Sequence, residues 1–204
     1  MCPCDEETTD LVLLYMGFLQ KQGRVNGMVK LYLRILGELR AHRPNARVEI
    51  YTWDSDPDDR AEFILQTLPK NRKIRIVIVG FSYGGYTAKL LTDRLKDRGI
   101  EVELVFLLDA VYRHWYALGQ WRSLVPWSTI RICDTVKRVI QYRQRNSLPF
   151  GHRIVVDNSL KTELGDIRWV NAKHVFVDDQ KSIHDECVSE ILKVFEIEST
   201  SPSL

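Results

Sequence analysis

The chain is poor in the features that decide many sequences at once. It has 4 cysteines in 204 residues, at positions 2, 4, 133 and 187, with no Cys-x-x-Cys pair and no metal-ligand spacing with histidine. Neither a disulfide framework nor a metal site is implied, and free thiols in a reducing cytoplasm are the simplest expectation. Charge of one sign is also missing. Lys plus Arg is 29 against 27 for Asp plus Glu, so nothing calls for nucleic acid or an anionic membrane as partner. A local basic stretch, Arg131, Lys137, Arg138, Arg143 and Arg145, is expected to be a solvated face. Long apolar runs are absent too. The first, Leu11 to Phe18, is far below the roughly 18 residues of a membrane span, so no integral membrane association is expected. Residues 1–10 are polar and acidic, unlike a secretory leader, which points to a cytoplasmic location. No repeat, linker or low-complexity block interrupts the chain. One domain over residues 10–196 is expected, between a flexible N-terminus (1–9) and a disordered tail (197–204). The oligomeric state stays open.

What the chain does have is alternation. Short apolar runs at 11–18, 46–54, 74–80 and 101–111 read as strands. Between them, helical stripes run through Met28, Leu31, Tyr32, Ile35, Leu36 and Leu39, then Phe63, Ile64 and Leu68, then Tyr86, Leu90, Leu91 and Leu95. Strands that are apolar at consecutive positions are buried on both faces, the mark of a parallel sheet covered by helices on each side. The fold class expected is therefore α/β, a three-layer αβα sandwich with a mostly parallel central sheet. The second half is less regular. Residues 134–144 fit strand or helix, 152–157 and 166–174 read as short strands, and 182–195 as a closing helix with Ser182 as its N-cap.

One turn carries chemistry. "IRIVIVGFSYGGYTAKLL" sets Ser82 between Gly80 and Gly84, where a strand stops and a helix starts. This fits G-x-S-x-G in its required strand–turn–helix context. Side chains at 80 and 84 would collide with neighbouring structure, and the central residue is expected in a strained conformation that presents its hydroxyl at the sheet's carboxyl edge. The N-terminus of the following helix would favour negative charge nearby. The plainer reading of Ser82 is a helix cap. Dinucleotide and phosphate-loop motifs are excluded, because position 82 is not glycine and no Gly-Lys-[Ser/Thr] occurs.

With "GFSYGG" at this elbow, the alternating first half, and a later Asp and His in that order, the chain resembles the α/β-hydrolase superfamily over residues 10–196. It looks closest to small lipase- or esterase-like members with little or no cap domain. The resemblance implies Ser82 as nucleophile of a Ser–acid–His triad and hydrolysis of carboxylic esters or thioesters, with no cofactor. A serine hydroxyl needs a base, and the base an orienting acid. Asp109, ending "LVFLL", is the first choice for the acid. Asp157, after "RIVV", is the rival, since the family's commonest position lies one strand later. For the base, His42 precedes the elbow, His114 sits among aromatics, and His152 precedes a strand at its wrong end. That leaves His174, after the last strand, and His184, in the first turn of the last helix, where a surface role is ordinary. The oxyanion donors implied are the N–H of Tyr83 and of Phe18 in "MGFLQ", although the family's His-Gly-Gly type of loop is missing. The aromatic stretch 112–127 reads either as core or as an apolar wall over Ser82. A small apolar acyl ester or thioester is the expected substrate. The alternative is a non-catalytic binding or structural protein on the same scaffold.

Overall fold

The computed structural model describes residues 8–67, 73–112 and 128–197. Its elements run β1 (Thr9–Tyr15), α1 (Gly27–His42), β2 (Arg47–Tyr51), α2 (Pro57–Thr67), β3 (Ile74–Phe81), α3 (Tyr83–Lys96) and β4 (Val102–Leu108). Then come β5 (Thr129–Ile132), β6 (Val136–Gln144), β7 (Arg153–Val156), β8 (Glu163–Val170), a 3-10 helix (His174–Asp179) and α4 (Lys181–Val194). Six strands form the central sheet in the order β2-β1-β3-β4-β6-β8, every pair parallel.

The consecutive apolar residues of the strands divide between two cores. Val12, Leu14, Val77, Val79, Leu104 and Phe106 face α1 and α4, where Leu31, Ile35, Val188 and Ile191 meet them. Leu11, Leu13, Ile76, Ile78, Val105 and Leu107 face α2 and α3, against Ile64, Ala88, Leu91 and Leu95. Alternate side chains of a strand point to opposite faces. A strand covered by helices on both sides therefore has no polar position to spare at its centre, which is why residues 11–15 of β1, 76–79 of β3 and 104–108 of β4 read as unbroken hydrophobic runs. The architecture is the expected αβα sandwich.

The second half departs from the sequence reading in instructive ways. Residues 136–144 are strand β6 in the interior of the sheet. The last strand covers 163–170, three to four residues earlier than expected, and a register shift interrupts its pairing with β6 between Val139 and Gln141. Residues 129–132, unassigned in the sequence reading, pair with 153–156 as a separate two-stranded parallel sheet. At the N-terminus, β1 already takes in Thr9, whose N–H bonds the Lys73 carbonyl. Helix α4 starts at Lys181 and not behind a Ser182 cap. The Gln180 carbonyl already accepts the N–H groups of Ile183 and His184, so Ser182 falls inside the first turn. In the basic stretch Arg131, Lys137 and Arg145 are exposed, and each member has a partner at the surface. Arg131 pairs with Asp157, Lys137 with Glu101 and Glu103, and Arg138 with Glu190, while Arg143 and Arg145 lie over the Trp169 ring.

Because every pair is parallel, the carboxyl ends of the six central strands lie at one edge of the sheet, and Ser82 follows the third of the six strands in spatial order. In an open parallel sheet this edge is where ligands collect.

Candidate active site

Ser82 stands between β3 and α3 with φ 54° and ψ −123°, outside the regions an L-residue prefers. Three backbone bonds hold it there: its N–H donates to the Leu108 carbonyl at 3.0 Å, and its own carbonyl accepts the Val111 N–H at 2.9 Å and the Gly85 N–H at 3.0 Å. Gly80 and Gly84 permit the turn. A Cβ on Gly80 would fall 2.6 Å from the Gly85 Cα, and one on Gly84 would overlap the carbonyls of Tyr15 and Met16. Although Ser82 occupies the N-cap position of α3, its side chain caps nothing. Its hydroxyl is turned instead to His174, whose Nε2 lies 2.8 Å from Oγ.

His174 opens the 3-10 helix after β8 and is buried, its ring stacked on Phe81 with centroids 5.2 Å apart. Its Nδ1 is 2.6 Å from Asp109 Oδ2. A carboxylate only accepts hydrogen bonds, so Nδ1 carries the proton and the Nε2 lone pair faces the serine hydroxyl. The His174 N–H donates to Ser147 Oγ at 2.7 Å, which fixes the backbone as well as the ring.

Asp109 follows β4, is completely buried and has φ 44°. An isolated carboxylate in such a place would be very costly, and it persists only with full hydrogen bonding. Its oxygens accept from the Gln144 N–H (3.2 Å), Gln144 Nε2 (3.0 Å), the Gly151 N–H (2.9 Å) and His174 Nδ1. Position 151 has to be glycine for this approach, because a Cβ there would overlap the Asp109 carboxylate. Gln144, the last residue of β6, also organises the loop that supplies Gly151. Its Oε1 accepts the N–H groups of Asn146 (2.6 Å) and Ser147 (2.9 Å), and its Nε2 donates to the carbonyls of Ser147 (2.7 Å) and Pro149 (3.0 Å).

A second network holds the loop after β1. The Gly17 N–H donates to Gln20 Oε1 at 2.9 Å, and Gln20 Nε2 donates to Asp178 Oδ2 at 2.8 Å. The same carboxylate oxygen accepts the Met28 N–H, in the first turn of α1, at 3.0 Å. Burial pushes the Asp178 carboxyl above its ordinary range, against the pull of these donors. Asp178 lies in the 3-10 helix that begins at His174, so one short element reaches both Ser82 and the loop carrying Gly17 and Phe18. Gly17 abuts Ser82 directly, its Cβ position lying 3.2 Å from the Ser82 Cβ.

The structure thus brings Ser82, Asp109 and His174 into one line, with Tyr83 as the first residue of α3 and Phe18 in the pinned loop. It separates the other candidates from that line. Asp157 follows β7 in the small second sheet and pairs with Lys96 and Arg131. The next strand of the central sheet beyond β4 is β6, which ends in Gln144, so a strand count along the sequence mislocates Asp157. His184 is not a surface residue. It is buried, with Nε2 2.6 Å from the Asp178 carbonyl, and burial lowers its pKa. His152 is not at a remote end either. Because β7 lies outside the main sheet, His152 sits buried beside Asp109's own segment, accepting the Tyr112 N–H on Nδ1 at 2.9 Å and donating its own N–H to the Ala110 carbonyl. His114 and all but Tyr112 of the aromatic stretch lie outside the described residues. Gln144, Ser147, Gly151, Gln20 and Asp178 escaped the sequence reading. The one signal was "RNSLPFG", a cluster of turn formers directly after a strand.

Among the described residues no cluster of three or more His, Cys, Asp or Glu side chains is placed to hold a metal ion, and no helix is long and apolar enough to cross a membrane. No family model and no curated protein matches the chain by sequence. Solved structures do match in fold. One is a cutinase-like protein from Cryptococcus sp., at TM-score 0.52 and 12% identity over 94% of this chain and 97% of that one. Another is α/β-hydrolase domain-containing protein 10 from mouse, at 0.51 and 10% over 91% and 89%. A third is human thioesterase 2, at 0.50 and 12% over 95% and 99%. The sheet order, the elbow and these likenesses define the class: the chain has the α/β-hydrolase fold.

Proposed function

We propose that the chain is a serine hydrolase that cleaves carboxylic esters or thioesters through an acyl-enzyme on Ser82. The observation that carries this reading is the continuous line from the Ser82 hydroxyl through both nitrogens of His174 to the buried Asp109 carboxylate. A helix cap would not need it, and a strained backbone at Ser82 supports a functional role over a structural one.

In this reading Ser82 Oγ attacks the acyl carbon while His174 Nε2 takes its proton. Asp109 holds the ring in the tautomer that can accept that proton and stabilises the resulting imidazolium. The carbonyl oxygen becomes an oxyanion, held by the N–H groups of Tyr83 and Phe18. Tyr83 suits this because it stands at the positive end of α3, and Phe18 because its loop is pinned against Ser82. Collapse of the tetrahedral intermediate breaks the bond to the leaving group, which receives the proton from His174. Water then attacks the acyl-serine, gives its proton to His174, and Ser82 Oγ recovers it as the acid is released. None of these steps requires a cofactor. Fold neighbours described as cutinase-like and as a thioesterase keep oxygen esters and thioesters together as candidate substrates.

The test is labelling with a fluorophosphonate probe, followed by peptide mapping. The expected result is one adduct on Ser82, lost in Ser82→Ala. A wild-type protein that is folded yet unlabelled, and inactive on short activated esters, would make the chain a binding protein on a hydrolase scaffold.

A further inference from the structure

Among the described residues ten large hydrophobic side chains are exposed, and seven of them stand at the carboxyl edge of the central sheet. Phe18, Leu19 and Val25 are on the loop after β1, 44%, 76% and 81% exposed. Leu148 lies in the loop after β6, Trp169 near the end of β8, and Val175 and Phe176 directly behind His174, all between 47% and 64% exposed. Contacts join these segments into one rim beside Ser82. Gln20 Nε2 donates to Asp178 Oδ2 at 2.8 Å, Asn146 Nδ2 to Asn171 Oδ1 at 2.8 Å, and the His174 N–H to Ser147 Oγ at 2.7 Å. Exposed hydrophobic residues scattered singly are ordinary, but their concentration on one rim marks an interaction surface.

The charge on this rim has one sign. Residues 16–30, 143–151 and 169–177 contain no Asp or Glu. Lys21, Arg24, Arg145 and Lys173 are exposed there, and Arg143 is half-buried. Among the described residues neither Arg143 nor Arg145 is ion-paired; both lie over the Trp169 ring, 5.3 Å and 3.8 Å from its centroid. The exposed acids of this edge are accounted for elsewhere. Asp179 pairs with Lys30 at 2.6 Å, and Asp54 and Asp56 follow β2, the outermost strand. Over the whole chain 29 cations nearly balance 27 acids, so the fold, and not the net charge, makes the rim cationic.

We infer that this rim docks the protein on a lipid surface that carries anionic headgroups. Apolar tips from separate loops enter the boundary between headgroups and acyl chains, and fluid lipid accommodates them without a complementary shape. Lys and Arg lay their apolar stems along such a boundary and reach the headgroup phosphates with their charged ends. Each cation held near an anionic surface strengthens binding about fivefold. Docking uses no catalytic group, so the inference stands apart from the hydrolase reading.

The experiment follows sedimentation of the full chain with vesicles of phosphatidylcholine alone or mixed with phosphatidylglycerol. Every sample carries Ser82→Ala, so that no lipid ester is consumed. Binding to the mixed vesicles is expected, with little to pure phosphatidylcholine, and it should weaken as salt is raised. Lys173→Gln should reduce it about fivefold and Phe176→Ser about tenfold, with unchanged urea midpoints because both side chains are exposed. Lys137→Gln removes the same charge at the amino end of β6, on the other edge of the sheet, and should bind like the parent. Equal losses in Lys173→Gln and Lys137→Gln, or equal binding to both kinds of vesicle, overturn the assignment. Binding to neither kind overturns it too, and leaves an acidic protein as the partner such a rim fits. None of these outcomes touches the hydrolase reading, which labelling at Ser82 decides.

Discussion

Asp109 with His174, and Asp178 with His184, are two buried aspartate–histidine pairs in one chain. In the first, the carboxylate meets the ring and the far nitrogen meets a hydroxyl. In the second, Asp178 offers the ring its backbone carbonyl and turns its carboxylate to Gln20 and Met28. A carboxylate can hold a ring in one tautomer and stabilise its positive form. A carbonyl accepts the same proton without carrying a charge to answer it, and burial accordingly depresses the His184 pKa. Proximity of the two residue types is therefore not enough for catalysis. In the proposed mechanism, which oxygen faces the imidazole decides whether the pair activates a nucleophile or fastens a 3-10 helix to its neighbours.

The sharpest way to break the contrast is to exchange the histidines' fates. Ser82→Ala and His174→Ala should each cut turnover of an activated ester by about 10⁴-fold or more. His184→Gln should leave it within about twofold, since a glutamine amide can still donate to the Asp178 carbonyl. A loss in His184→Gln matching that of His174→Ala would erase the distinction. The acids should divide in the same way. Asp109→Asn is expected to lower kcat by about 10⁴-fold, whereas Asp157→Asn, whose carboxylate only pairs with Lys96 and Arg131, should change little. Near-normal rates in Asp109→Asn would remove Asp109 from the mechanism.

Smaller effects test the supports of each pair. Gln144→Ala strips one donor from Asp109 and releases the 145–151 loop, so kcat should fall about tenfold to a hundredfold, the equivalent of roughly 1–3 kcal/mol for a broken buried network. Gln20→Ala should reduce kcat by about tenfold with little change in KM, because it loosens the Phe18 amide, which in the proposed mechanism acts on the oxyanion and not on the bound ester. A rise in KM alone would place Gln20 in ground-state binding.

The smallest effects concern pH and stability. Burial raises the Asp178 pKa, so the folded state disfavours its carboxylate and its own contribution to stability is lost as pH rises above about 4. Asp178→Asn keeps an acceptor for Gln20 and Met28 without the charge, and should flatten that decline. His184 has the opposite sign. Its depressed pKa means its contribution is present above about pH 6.5 and is lost as pH falls and the unfolded chain takes up a proton. Urea midpoints measured from pH 4 to 8 should show an acid-side slope that shrinks in His184→Gln, by less than about 1.4 kcal/mol per pH unit. Identical pH profiles in all three proteins would mean that neither Asp178 nor His184 titrates with folding.

Local pattern alone determined the layered fold and the serine's place in it. Strands apolar on both faces demand helices on both sides, and a serine flanked by Gly80 and Gly84 at a strand's end can only stand on a tight turn at the sheet's carboxyl edge. These are short-range constraints of sterics and burial, written in neighbouring residues. The sequence by itself also ranked Asp109 and His174 first but left Asp157 and His184 open. Tertiary structure separated them, because strands β5 and β7 leave the main sheet and carry Asp157 away, and because the 3-10 helix buries His184 against its own carbonyl. Gln144 and Asp178 show the same limit. Each contacts residues 35 or 158 positions distant, and such contacts depend on how whole elements pack, which no local spacing encodes.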